Sequence, residues 1–182
     1  MRLFIGIEFP EAILDKLGQT QDYLRRYVSS GRFTAKYNMH LTLQFLGEVP
    51  EDKVGDICRR LQQVAKGHSP LRLNLGALGC FGQNNPYRVV WLGLGGDLTA
   101  LSRLQRAIVL GMKELGFIPE NRPYKPHITL ARDVCFTDGE AYRQALRLTA
   151  GGSGFAVTSF SLISSAVEEK KRVYRALATF EM

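Results

Sequence analysis

Cysteine is scarce in this chain. Cys58, Cys80 and Cys135 are odd in number, lie far apart and form no Cys-x-x-Cys spacing. That pattern predicts neither a disulfide framework nor a zinc knuckle. Long apolar runs are missing too, so no membrane span is expected. The apolar opening is cut short by Glu8 and Pro10, too early for a signal peptide. Acidic residues are outnumbered, 17 against 24 basic, for a net charge of +7. A basic excess of that size points to a polyanionic partner, of which nucleic acid is the commonest. Low-complexity linkers are absent. These features predict a soluble cytoplasmic protein with no membrane partner and no obligate protein partner.

Histidine is scarce as well: His40, His68 and His127 are the only three. Two of them share one local grammar. In Pro126-His127-Ile128-Thr129-Leu130-Ala131-Arg132, strand alternation sets His127 and Thr129 on one face and Ile128 and Leu130 on the other. In His40-Leu41-Thr42-Leu43, His40 and Thr42 share a face, and Leu41, Leu43 and Phe45 take the buried one. The offset is constant: 127 − 40 = 87 and 129 − 42 = 87.

The same offset aligns the rest of the chain. Residues 2–9 read as a buried strand ended by Pro10, and residues 2–7 map onto 89–94, within a strand at 87–94. Ile13, Leu14, Leu17 and Leu24 form a helical stripe that maps onto Leu101 and Leu104. Ser29-Ser30-Gly31 is read as the stop of that helix, and residues 32–37 as a strand. A helix at 51–66, with Val54, Ile57, Leu61 and Val64 on one face, maps onto 138 to about 150. The alternating Leu71, Leu73 and Leu75 map onto residues 158–162. Residues 82–86 and 168–172 read as turns, Gly151-Gly152-Ser153-Gly154 as the most flexible piece, and 173–180 as a last strand. The expectation is one domain over 1–182, duplicated, with halves of about 1–87 and 88–182. A pseudo-two-fold axis would then bring both His-x-Thr strands to one cleft.

Two imidazoles on opposite sides of one bond allow acid and base to act in the same step, which suits transfer at phosphorus. Threonine hydroxyls two residues along can donate to phosphate oxygens as charge builds. That set needs no metal and no cofactor, and no acidic or thiol ligand stands at ligand spacing beside either motif. A lone strand histidine is more often structural, and a lone threonine is a β-former. Recurrence at one offset is what favours function. His68, in a Ser-Pro turn, reads as solvated. Arg132 falls on the wrong parity for the cleft by strict alternation, yet its length suits it to phosphate. Arg122 and Lys125 join it as candidate RNA phosphate contacts. Phe81, Tyr124 and Phe45 are candidate base-stacking rings, with Phe45 disfavoured by its core parity.

At these residues the sequence resembles the two-histidine phosphoesterase superfamily. More closely it is similar to the RNA 2′,3′-cyclic phosphodiesterases, long called 2′-5′ RNA ligases. The resemblance rests on the opening strand, on residues 40–48, and on residues 116–132. It implies an α+β, bilobal fold with two antiparallel sheets lining a central cleft and helices outside. It implies opening of a terminal 2′,3′-cyclic phosphate of RNA to a 2′-phosphate, and the reverse 2′-5′ joining. His40 would match the proton donor and His127 the group that activates water. Thr42, Thr129 and, less clearly, Arg132 would hold the phosphate. The expected partner is RNA ending in a 2′,3′-cyclic phosphate, tRNA fragments among them. The alternatives are a phosphodiesterase for another RNA end or small cyclic nucleotide, or a non-catalytic RNA-binding module. Residues 162–167 depart from the family pattern, which often has an aromatic or basic residue there.

Overall fold

A computed structural model describes residues 1–152, 154–169 and 171–182. Ser153 and Lys170, which belong to the Gly-rich stretch and the charged turn singled out above, lie outside the described residues.

The first strand, β1 (Arg2–Glu8), has five consecutive buried residues, as its unbroken apolar run requires. Pro10 follows in an extended conformation and opens α1 (Glu11–Arg25), its carbonyl accepting from the amides of Ile13 and Leu14. Ile13, Leu17 and Leu24 are the buried stripe of that helix. Ser29-Ser30-Gly31 does not merely stop the helix: it lies inside β2 (Val28–Phe33). The strand expected at 32–37 therefore starts and ends earlier, and a single 3-10 turn, Lys36–Asn38, leads into β3 (His40–Glu48). A second 3-10 turn, Glu51–Lys53, runs into α2 (Val54–Lys66), which buries Ile57, Leu61 and Ala65. The antiparallel pair β4 (Leu71–Phe81) and β5 (Tyr87–Gly96) follows. Then come α3 (Leu98–Glu114), β6 (His127–Phe136) and α4 (Gly139–Leu146). The last helix is shorter than expected. Asp138 caps it, its side chain accepting from the Ala141 amide at 2.8 Å. The short β7 (Phe155–Val157) was not foreseen, because three residues carry no period. β8 (Ser159–Glu168) and β9 (Lys171–Glu181) form the final hairpin.

The strands join in one antiparallel path, β7-β4-β5-β6-β3-β1-β8-β9, with β2 added beside β6. The two sheets expected to line a cleft are thus continuous. They meet at β3 and β6, whose only register pair is Leu41 opposite Ile128, and 128 − 41 is again 87. The pairing exchanges strands between chain halves: β4 lies against β5, and β8 against β1. Helices α1, α2 and α3 turn their apolar stripes onto the sheet, and most of the buried apolar side chains form one continuous core.

The 87 offset does not hold in every strand. Glu8 stands opposite His40, and Gly93 stands opposite His127. The first strands of the halves are therefore related by 85 in register, a slip of two. A slip of two keeps every side chain on its face, which is why the sequence pattern conceals it.

Candidate active site

Continuing the Leu41–Ile128 register by one residue each way sets His40 across from Thr129 and Thr42 across from His127. Those four side chains share the face opposite the buried Leu41 and Ile128. Diagonal neighbours in a regular antiparallel pair have Cα atoms about 7–8 Å apart, and the two imidazoles are near enough for His127 to act on the His40 ring.

Each ring is held by backbone. His40 Nδ1 lies 2.7 Å from the Asn38 carbonyl, and His127 Nδ1 lies 2.7 Å from the Lys125 carbonyl. A carbonyl can only accept, so each Nδ1 carries the proton and each Nε2 is left with a free lone pair. His40 Nε2 stands 3.0 Å from Thr42 Oγ1, which can donate to it. Lys125 follows Asn38 by 87, so both halves solve the tautomer problem the same way.

Aromatic rings wall both histidines. Phe4 and Tyr174 lie with ring centroids 4.6 and 5.1 Å from His40. Phe81 stands edge-on to His127 at 5.0 Å and Trp91 lies at 6.1 Å. The Lys125 ammonium sits 4.4 Å over the Trp91 ring and 5.6 Å from Phe81. Trp91 faces Gly79 across the β4–β5 pair, and a Cβ on Gly79 would meet the indole at 2.3 Å. Only glycine leaves that ring its place.

Electrostatics favours neutral imidazoles. Burial pushes His40 down to about 4, with the Arg132 guanidinium and His127 adding to the effect, while the Asn38 hydrogen bond opposes it. Burial also lowers His127, helped by Arg132 and Lys125 and opposed by the Lys125 carbonyl. Arg132 therefore acts on both rings.

Strict alternation had turned Arg132 away from the cleft, and the structure corrects this. Val90 pairs with Ala131 and Trp91 with Thr129, so Leu130 is an extra residue in β6. Leu130 and Ala131 are both buried as a result, and parity flips beyond them. Val89, two residues from Trp91 and so on its face, stands opposite Arg132. The same device acts 87 residues earlier. Ile5 pairs with Gln44 and Gly6 with Thr42, so Leu43 is the extra residue in β3. Phe45, expected in the core, is instead 51% exposed. It lies 5.9 Å from Phe4, on the face of His40.

The other candidates sort as follows. Tyr124 is half-buried, its hydroxyl donating to the Thr42 carbonyl at 3.1 Å, and burial raises its pKa. That bond ties the loop before β6 to β3 and leaves the ring little freedom to stack. Arg122 is exposed in that loop and faces Glu120 at 3.8 Å. His68 is not freely solvated: its Nδ1 lies 2.9 Å from the Val64 carbonyl at the end of α2. Phe4, Trp91 and Tyr174 were missed by the sequence reading. An aromatic ring in an otherwise aliphatic strand was the available signal for Phe4 and Trp91. Nothing marked Tyr174, which arrives from β9.

Two adjoining His-x-Thr strands are the arrangement expected of a phosphoesterase, and comparison identifies the class. The family model described as LigT like Phosphoesterase matches residues 7–91 and 97–174, and the chain belongs to that family. Among named relatives, an RNA 2′,3′-cyclic phosphodiesterase of Methanothermobacter thermautotrophicus is 33% identical, over 72% of this chain and 71% of that one. One from Archaeoglobus fulgidus is 31% identical over the full length of both. Among solved structures, E. coli LigT complexed with 3′-AMP superposes with a TM-score of 0.81 at 28% identity, covering all of this chain and 97% of that one. A Thermus thermophilus protein gives 0.82 at 27% identity, with the same coverage.

Proposed function

We propose that this enzyme hydrolyses the 2′,3′-cyclic phosphate at the end of an RNA strand to a 2′-phosphate. The observation that carries the reading is the matched anchoring of two imidazoles, each Nδ1–H held by a carbonyl at 2.7 Å, which turns both Nε2 atoms away from the backbone as proton acceptors. His127 takes a proton from water as its oxygen attacks phosphorus. His40, protonated in the bound complex, gives its proton to O3′ as the P–O3′ bond breaks. Thr42, Thr129 and Arg132 hold the non-bridging oxygens. Phe45 offers an exposed face to the base. The names of the relatives support an RNA substrate, and tRNA fragments fit the same chemistry. Replacing water by an RNA hydroxyl gives 2′-5′ joining at the same site.

The whole of 1–182 acts as one bilobal unit on this reading, with the motif strands of duplicated halves 1–87 and 88–182 at its centre. A cytoplasmic setting agrees with three free thiols. The test is incubation with RNA ending in a 2′,3′-cyclic phosphate in excess chelator. The expected product is the 2′-phosphate. Binding without turnover would favour the non-catalytic module, and a 3′-phosphate product would reverse the assignment of the leaving oxygen.

A further inference from the structure

Arg32 and Arg132 stand directly opposite each other in the β2–β6 pair. Like charges in that relation repel, so something must compensate one of them. Asp133 does so, and it serves Arg32 and not its own neighbour. Arg32 Nε donates to Asp133 Oδ2 at 3.0 Å, and Nη2 donates to the same oxygen. Arg132 has no ion pair among the described residues. The backbone enforces this choice. Asp133 has φ 52, in the left-handed region. It lies where β6 sets two residues, 133 and 134, against the single residue 31 of β2. An aspartate tolerates that conformation better than most residues.

The pair is exposed, 76% for the Arg32 side chain and 51% for that of Asp133, and an exposed pair contributes little to stability. Its consequence is electrostatic. We propose that Arg32 is a positioning residue: it draws the Asp133 carboxylate away from Arg132 and so keeps Arg132 free to receive the substrate phosphate. This rests on the phosphate role given to Arg132 above. Without Arg32, the Asp133 carboxylate is released to pair with its chain neighbour Arg132, and the incoming phosphate must compete with a resident carboxylate.

The experiment compares wild type with Arg32→Gln, Asp133→Asn and the double variant on 2′,3′-cyclic AMP, a substrate with no upstream chain for Arg32 to touch. Arg32→Gln is expected to raise KM roughly tenfold, the scale of losing a hydrogen bond to a charged group, with kcat nearly unchanged. Asp133→Asn is expected to leave KM at or below the wild-type value. The double variant is expected to return to within about twofold of wild type, since nothing then competes for Arg132. Affinity for inorganic phosphate, read by calorimetry on the same four proteins, should follow the same order. That readout stands even where cyclic-phosphate hydrolysis itself is absent. A double variant as impaired as Arg32→Gln overturns the proposal, as does an Arg32→Gln protein with wild-type KM and phosphate affinity.

Discussion

Phe45 and Arg132 occupy the same place in the two motif strands, five residues after the histidine. Both reach the cleft face through the same one-residue bulge, at Leu43 and at Leu130. The duplicated backbone is thus used for opposite ends: an uncharged ring beside His40 and a cation beside His127. That difference breaks the near-symmetry of four otherwise matched side chains, and on the proposed reading it would give a bound nucleotide a direction.

The histidines and threonines should separate by magnitude. His40→Ala and His127→Ala are each expected to lower kcat by about 10²–10⁴-fold, the usual worth of a general acid or base. The double variant should lose far less than the product of the two, because the groups act as a unit. Thr42→Val and Thr129→Val should cost about 1.5–3 kcal/mol in transition-state binding. Single-turnover hydrolysis of a cyclic-ended RNA in chelator measures all five. A folded His127→Ala protein with near-wild-type rate would rule out the paired mechanism.

The pH dependence should lie on the acid side. Both imidazoles are lowered from 6.5, His40 to about 4, so both are neutral in the free enzyme at pH 7. Hydrolysis needs one of them protonated, so kcat/KM should rise as pH falls below neutrality and should be bell-shaped. Phosphate binding should take up a proton, visible as a buffer-dependent calorimetric heat. Stability has the opposite sign. A histidine whose folded pKa is depressed stabilises the native state only above its unfolded value, and that stability is lost as pH falls from about 6.5 towards 4. The drop for His40 is on the order of 3 kcal/mol, since each tenfold change in proton affinity is worth about 1.36 kcal/mol. Replacing His40 by Asn should flatten the acid limb of an unfolding titration.

Phe45→Ala should weaken binding of 2′,3′-cyclic AMP by the worth of one base–aromatic stack, about 1–3 kcal/mol. It should leave the affinity for inorganic phosphate unchanged, whereas Arg132→Gln should weaken both. Equal losses of both ligands on Phe45→Ala would show that the ring is structural.

Gly79→Ala tests the wall of His127 from behind. The added methyl would overlap Trp91 at 2.3 Å, so the indole must move. Overpacking of this kind costs about 1–3 kcal/mol. Unfolding in denaturant should show that loss, and kcat should fall with it as Phe81, Trp91 and Lys125 shift around the ring. A stable, fully active Gly79→Ala protein would mean that Trp91 is free to sit elsewhere.

What the sequence determined alone was whatever depends on short-range period. Alternation placed His40 with Thr42 and His127 with Thr129, the 3.6-residue stripes located α1 and α2, and the offset carried the first of them onto α3. The constant offset related the motif strands, since β-strands of matched length leave their period in the chain. Tertiary structure decided what depends on pairing between distant strands. The bulges at Leu43 and Leu130 exist only against β1 and β5, so a parity argument within one strand could not find them, and it misplaced Phe45 and Arg132 together. The slip of two between β1 and β5 leaves every face unchanged and is invisible to pattern. Tyr174 reaches His40 only because the hairpin that carries β9 docks its other strand, β8, against β1. The carbonyls of Asn38 and Lys125 hold the rings by backbone atoms that every residue carries, so no side-chain identity could announce them.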